Sequence, residues 1–301
     1  MSGGQLERLA FRFCRDELNA YTVYRELSRV ERDPELREAL ARAAERELAH
    51  YEFWRSLAGG DCGSVDRVKV GLVLLSRRLL GLVFALRLLE RSEREATRGY
   101  RAVAEMLPES ARSKLEEIVR DEEEHEEAWV RAIAREEKIV RYLGFVALGV
   151  ADSIVELTGV FAGFLGATAS TEAAGLAGLV VGVAAALSMS GAAYAQAKHE
   201  AEGRVSPLAS AIVTGLSYII VVALLTAPYL LLDSVLAALV ASLAVATALV
   251  ASFTLYSSII KNTDYARDLA ETLAVMATTI VVAYIVGHAL GELLDLPRTP
   301  L

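Results

Sequence analysis

The sequence predicts an all-helical protein in which a charged, water-soluble helical bundle precedes a membrane domain of five spanning helices. Three observations predict this fold. The 39 acidic and 31 basic residues are distributed unevenly, because residues 1–141 hold 54 of them and residues 142–301 hold only 16. Apolar residues recur at helical spacing along the chain, and no segment shows the alternation typical of strands. The second half also contains apolar stretches long enough to cross a bilayer.

Composition excludes several classes of protein. A half that is so apolar excludes a soluble enzyme, a secreted disulfide scaffold and a disordered chain. The net charge of −8 leaves no basic stripe, so we expect no nucleic-acid partner. Cys14 and Cys62 are the only cysteines and form no CxxC motif, so we expect ordinary thiols. Only four residues are Asn or Gln, a usage that leans towards thermophilic proteins.

Proline and glycine punctuation divides the first half into four helices. Pro34 is placed to begin the second helix, and Gly59 and Gly60 end it. Pro108 and Ser110 mark the turn before the fourth helix. The pattern predicts two antiparallel helix pairs of a four-helix bundle in the domain 1–141. The predicted helices cover residues 5–31, 34–57, 65–107 and 110–141.

The third predicted helix contains a second apolar stretch, residues 70–89. It is interrupted by Arg77, Arg78 and Arg87, and each costs about 2.5 to 3.5 kcal/mol at the centre of a spanning helix. We therefore expect it to pack against a partner subunit or to lie on the membrane surface. Packing between subunits is the favoured alternative, and it predicts a homodimer.

Five apolar stretches define a membrane domain over residues 142–301 and predict a multi-pass protein of the cell membrane. Basic residues precede the first stretch and follow the second and the fourth, whereas residues 168–174 and 230–233 contain none. The positive-inside rule then places the N-terminal domain in the cytoplasm and the C-terminus outside. The N-terminus also lacks the apolar region of a signal peptide. The predicted spans are 143–166, 174–195, 208–231, 234–258 and 272–294.

Carboxylates and histidines recur in the first half as an internal repeat. Each helix pair carries a Glu, a Tyr seven residues later, and an ExxH motif about 30 residues after the first Glu. The Glu and His of an ExxH motif share one helical face. One such motif is typical of a solvated face, but the repetition favours a metal centre, since carboxylates with one imidazole per metal suit two irons. The residues are Glu17, Tyr24, Glu47 and His50, then Glu93, Tyr100, Glu122 and His125.

Over residues 5–135 this pattern resembles the rubrerythrin-like members of the ferritin-like superfamily. The resemblance implies a ferritin-like bundle with a di-iron centre, in which Mn or Zn could replace Fe. It also implies that Tyr24 and Tyr100 lie beside the ligands, although each is equally typical of a core aromatic. The chain has only two cysteines and therefore lacks the rubredoxin module of true rubrerythrins. The implied ligands are Glu17, Glu47, His50, Glu93, Glu122 and His125.

The first span carries two carboxylates, Asp152 and Glu156, four residues apart on one helical face. Carboxylates within a membrane are costly, so a functional role is the default interpretation, and a hydrated position near the headgroups is the alternative. Gly159, Gly163 and Gly166 allow another helix to approach closely. We expect that approach at a dimer axis.

The membrane half resembles the vacuolar iron transporter family over residues 143–296. An Asp followed at +7 by Gly and at +10 and +11 by Ala-Gly, and the later Ser188-Met189 pair, carry the resemblance. Ala192 and Ala193 stand where that family has Gly-Glu. The resemblance implies the arrangement of erythrin–vacuolar iron transporter fusions, with a membrane metal site formed by Asp152, Glu156 and Met189.

Together these patterns predict a transporter that exports Fe²⁺, or Mn²⁺, from the cytoplasm. The N-terminal domain would capture, sense or oxidise the metal, and the sequence leaves coupling to protons and ferroxidase activity open. The alternative is a membrane-anchored di-iron oxidase or peroxide-scavenging protein. An anchor needs one span and no buried carboxylate, so five spans with Asp152, Glu156 and Met189 favour transport.

Overall fold

The computed structural model describes residues 3–105, 107–121, 138–199 and 205–296. Those residues form ten helices and no strand, which confirms the all-helical prediction for the described part of the chain. The chain divides into two compact units, residues 1–137 and 138–301. The first contains α1 Gly3–Val30, α2 Pro34–Leu57, α3 Arg67–Leu80, α4 Leu82–Ala104 and α5 Glu109–Asp121. The second contains α6 Lys138–Thr168, α7 Thr171–His199, α8 Pro207–Leu231, α9 Val235–Lys261 and α10 Tyr265–Leu293.

Helices α1 and α2 form a hairpin that is closed by the predicted turn. The side chain of Asp33 accepts hydrogen bonds from the amides of Glu35 and Leu36, and Pro34 occupies the first helical position. A proline there loses no helical hydrogen bond, because the first amides of a helix have no partner within it. This turn places the buried faces of α1 and α2 against each other.

The single long helix predicted over residues 65–107 is wrong, because the chain breaks at Gly81. Gly81 has a φ of 95°, a value that lies outside the right-handed helical region and that residues with a side chain rarely adopt. Helix α3 therefore ends at Leu80, and α4 starts at Leu82. The apolar start of α4 is buried within the first unit; its buried residues are Leu82, Val83, Phe84, Ala85, Leu86 and Leu89.

Cys14 and Cys62 form a disulfide, so the prediction of two ordinary thiols is wrong. The bond joins α1 to the loop after α2, with the Cα atoms 6.0 Å apart and the two cysteines separated by 48 positions along the chain. Both side chains are fully buried in a cluster that also contains Trp54 and Tyr100. Sequence spacing carries no signal for this contact, because it depends on how the loop folds back onto α1.

The second unit contains the five apolar helices that the sequence predicts. Helices α6 to α10 each include a segment that is long and apolar enough to cross a bilayer, and they are the five such helices in the described residues. The length and composition of these helices are therefore consistent with a multi-pass membrane protein. Its core is formed by residues such as Leu157, Phe161 and Leu225, whereas many aliphatic side chains on the outer faces are exposed.

The glycines of the first span pack inside the chain, so the expectation that they meet a dimer axis is wrong. A side chain at Gly159 would meet Thr279, and one at Gly166 would lie 2.6 Å from the backbone oxygen of Tyr284. On α10, a side chain at Gly287 would overlap the backbone of Gly163. Small residues on both helices thus allow α6 and α10 to pack backbone to backbone.

Candidate metal centres

The structure brings three of the predicted ligands together in the first unit. Glu17 comes from α1, and Glu47 and His50 come from consecutive turns of α2. One potential ligand atom from each residue lies within 4.8 Å of the other two, and the three residues are only 3 to 6% exposed. Two carboxylates buried together repel each other, and a divalent cation removes that repulsion. Their oxygens and an imidazole nitrogen are donors that iron, manganese and zinc accept.

Tyr100 connects the second half of the repeat to this cluster. Its hydroxyl donates a hydrogen bond to Oε1 of Glu17, and its ring is almost fully buried. The ring packs edge-on against Phe13 at 4.7 Å and contacts Trp54 at 4.8 Å between centroids. Gly99 leaves room for Phe13, since a side chain there would lie 2.7 Å from that ring. Tyr100 therefore orients a carboxylate oxygen of Glu17, a predicted ligand on the neighbouring helix.

The remaining ligands of the first centre are placed only in part. Glu93 lies on α4, two helical turns before Tyr100, but its side chain is outside the described residues. Glu122 and His125 also lie outside the described residues. Tyr24 is buried on α1, two turns after Glu17. The six-ligand centre remains a prediction, and the described part of the chain contributes one group of three.

The two carboxylates of the first apolar helix have a partner that was not predicted from the sequence. Asp152 and Glu156 are half-buried on α6, and the fully buried Tyr218 of α8 donates its hydroxyl hydrogen bond to Oε2 of Glu156. This bond holds the Glu156 carboxylate towards α8. A tyrosine in the middle of an apolar span was the available signal, because a buried hydroxyl in a membrane requires a polar partner.

Met189 lies on α7 and packs, half-buried, against the apolar cluster that includes Tyr218 and Ile154. A thioether at such a position can pack or act as a soft metal ligand. Its participation in a site with Asp152 and Glu156 remains a prediction. The neighbouring Ser188 is exposed on the surface of the unit.

Outside the candidate centres, Glu31 forms a partly buried ion pair with Arg77. Nη2 of Arg77 lies 2.9 Å from the Glu31 carboxylate, which also accepts hydrogen bonds from the amides of Arg32 and Asp33. Burial by itself raises the pKa of Glu31, but these donors and the Arg77 charge lower the pKa below its ordinary value of 4.5. The pair ties α3 to the turn between α1 and α2.

Comparison with known proteins adds no assignment, since no family model, curated protein or solved structure matches the chain.

Proposed function

We propose that this protein is a membrane transporter that exports Fe²⁺, or Mn²⁺, from the cytoplasm. The observation that carries the proposal is the pair of half-buried carboxylates, Asp152 and Glu156, within an apolar helix long enough to span a membrane. A divalent cation that leaves water needs anionic oxygens in place of its hydration shell. An anchor has no use for such groups, which are costly in a membrane.

The chemistry of the buried cluster supports a transition metal as the cargo. The oxygens of Glu17 and Glu47 and the imidazole of His50 fit one half of a ferritin-like di-metal centre. We infer that Glu93, Glu122 and His125 supply the other half. A bound di-iron pair would supply redox chemistry, while the surrounding residues bind the cation, exclude water and orient the carboxylates.

Within the membrane, each side chain has a separate task in this proposal. Asp152 and Glu156 bind the cation, and the Tyr218 hydroxyl holds Glu156 in position. Met189 would favour a softer transition metal over Mg²⁺ or Ca²⁺. We therefore expect Met189→Ala to weaken discrimination between metals more than it weakens flux.

Export requires the first unit to face the cytoplasm, as the distribution of basic residues predicts. The loop that contains Asp233 should then be outside and the loop that contains Thr263 inside. Single cysteines at these positions can be tested in intact cells with a membrane-impermeant thiol reagent, because the two native cysteines are buried and paired. Labelling of Asp233→Cys alone supports export, whereas labelling of Thr263→Cys alone would show that the first unit faces outwards and would contradict export.

The decisive experiment for transport is Fe²⁺ flux into proteoliposomes, with and without a pH difference across the membrane. We expect flux with the wild-type protein and none with Asp152→Ala, while both preparations retain the same iron in the first unit. Equal flux through Asp152→Ala would show that the carboxylate pair is structural. Absence of wild-type flux, together with oxidation of Fe²⁺ or consumption of peroxide, would instead support a membrane-anchored di-iron enzyme.

A further inference from the structure

Helix α3 presents an apolar stripe to the surroundings of the first unit. Four aliphatic side chains at positions i, i+4, i+7 and i+11 are 50 to 71% exposed. At 3.6 residues per turn this spacing places all four on one narrow face. The stripe consists of Val68, Leu72, Leu75 and Leu79.

The rest of the fold fixes the direction of this stripe. Val70 and Val73, on the other side of α3, are buried in the first unit. Arg77 pairs with Glu31 at 2.9 Å, and Lys69 lies 3.5 Å from Asp16 on α1. The helix cannot rotate its apolar stripe inwards without exposing buried valines and breaking both ion pairs. The exposed face is therefore a property of the folded unit.

Charges beside the stripe favour an anionic surface. Helix α3 contains no acidic residue, and the exposed Arg67 and Arg78 lie along the same flank of the stripe. The nearest acid in sequence, Asp66, caps the helix and accepts hydrogen bonds from the amides of Val68 and Lys69. An apolar face with basic residues at its edge is typical of helices that lie in the interface of anionic membranes.

A second copy of the chain fits these observations less well. The subunit contact predicted from the sequence relied on the whole apolar stretch 70–89, but its second part is buried within the same unit. The stripe that remains has four residues, whereas a stable protein interface uses roughly 20 to 30 residues a side. A bilayer has no such requirement, and the five apolar helices of the second unit imply that one is present.

We propose that α3 lies in the headgroup region of an anionic membrane leaflet, with the stripe towards the acyl chains and Arg67 and Arg78 on the phosphates. The first unit would then be held at the membrane by a second attachment besides the chain that leads into α6. This attachment does not depend on metal binding or on transport. Anionic lipids enrich the cytoplasmic leaflet, which is where the first unit is proposed to be.

Spin labelling of the full-length protein in lipid nanodiscs tests this attachment. A nitroxide on Leu75→Cys reports the surroundings of the stripe, and one on Glu38→Cys serves as the matched control, since that α2 side chain is 72% exposed. The native disulfide leaves each variant with one reactive thiol. Collision with oxygen, which concentrates in lipid, is compared with collision with a water-soluble nickel chelate. Discs of phosphatidylcholine are compared with discs that also contain phosphatidylglycerol.

We expect the label at position 75, but not the label at position 38, to be accessible to oxygen and protected from nickel in anionic discs. Replacing Arg67 and Arg78 with Gln should lower the ratio of docked to undocked protein by about fivefold for each residue. High nickel access at position 75 would overturn the proposal, and so would equal depth in the two kinds of disc. Protection from both reagents would show that protein covers the stripe, and a second copy would replace lipid as its partner.

Discussion

Breaking the disulfide between Cys14 and Cys62 should destabilise the first unit by about 4 kcal/mol. The bond closes a loop defined by a sequence separation of 48 residues. A cross-link removes conformational freedom from the unfolded chain, and the chain-entropy relation gives about 4 kcal/mol for a loop of that length. This is a large fraction of the roughly 5 to 15 kcal/mol that stabilises a typical domain.

Chemical unfolding of the full-length protein in detergent, with and without reductant, measures this loss. Trp54 lies in the same buried cluster as both cysteines, so its fluorescence reports unfolding of the first unit. Replacing Trp129 with Phe leaves Trp54 as the only tryptophan. We expect reductant to lower the free energy of unfolding by about 4 kcal/mol in this background. A variant with alanine at both cysteine positions is the control, and reductant should not affect it.

Two results would refute this reasoning. The first is alkylation of two thiols in protein that has been unfolded without reductant, detected by mass spectrometry, which would show that the disulfide is absent. Identical unfolding curves for the oxidised and reduced protein would show that the bond contributes no stability. If the first unit faces the cytoplasm, as we propose, an intact disulfide would agree with the low content of Asn and Gln, because intracellular proteins of hyperthermophiles retain disulfides.

Three further changes test the packing and the polar contacts. Gly287→Ala should destabilise the second unit by about 1 to 3 kcal/mol, because the added methyl group overlaps the backbone of the adjoining helix. The control, Gly191→Ala, should have no such effect, because nothing lies within 4 Å of the added methyl group. Thermal denaturation in detergent measures both variants. Glu31→Gln should lower the melting temperature near neutral pH. The ion pair with Arg77 lowers the pKa of Glu31 in the folded state. The difference in melting temperature between the variant and the wild type should therefore be full above pH 4.5, and it should vanish as the pH falls through the lowered pKa of Glu31. Equal melting temperatures at pH 7 would contradict this prediction. Tyr218→Phe should reduce Fe²⁺ flux about tenfold without loss of folding, since Glu156 loses a charge-assisted hydrogen bond; unchanged flux would remove Tyr218 from the pathway.

Local sequence signals predicted the features that depend on neighbouring residues. Pro34 begins α2 and the glycines after Leu57 end it, each through its own backbone preferences. Both boundaries could therefore be predicted from the sequence. The same holds for the apolar helices, whose length and composition are independent of packing. The ExxH spacing likewise places Glu47 and His50 on one face of α2 before any tertiary contact is known.

Features that depend on distant residues could not be predicted. Gly81 interrupts an apolar pattern that continues on both sides, and a glycine alone does not show whether a helix tolerates it or ends there. The contact between Gly163 and Gly287 joins residues 124 positions apart, so the glycine pattern showed a close approach but not which helix makes it. Tyr218 could not be predicted as the partner of Glu156 for the same reason, because the two residues are distant in the sequence.

The cargo proposed for this protein, a transition metal, follows from the buried cluster of Glu17, Glu47 and His50, which we expect to hold a metal as part of a two-metal centre. Elemental analysis of the purified full-length protein gives the number of metal ions per chain. We expect two irons in the wild type, one or none in Glu47→Ala, and still two in Glu45→Ala, whose side chain is exposed on the same helix. Two tightly bound irons in Glu47→Ala, or none in the wild type after loading with Fe²⁺, would contradict the account.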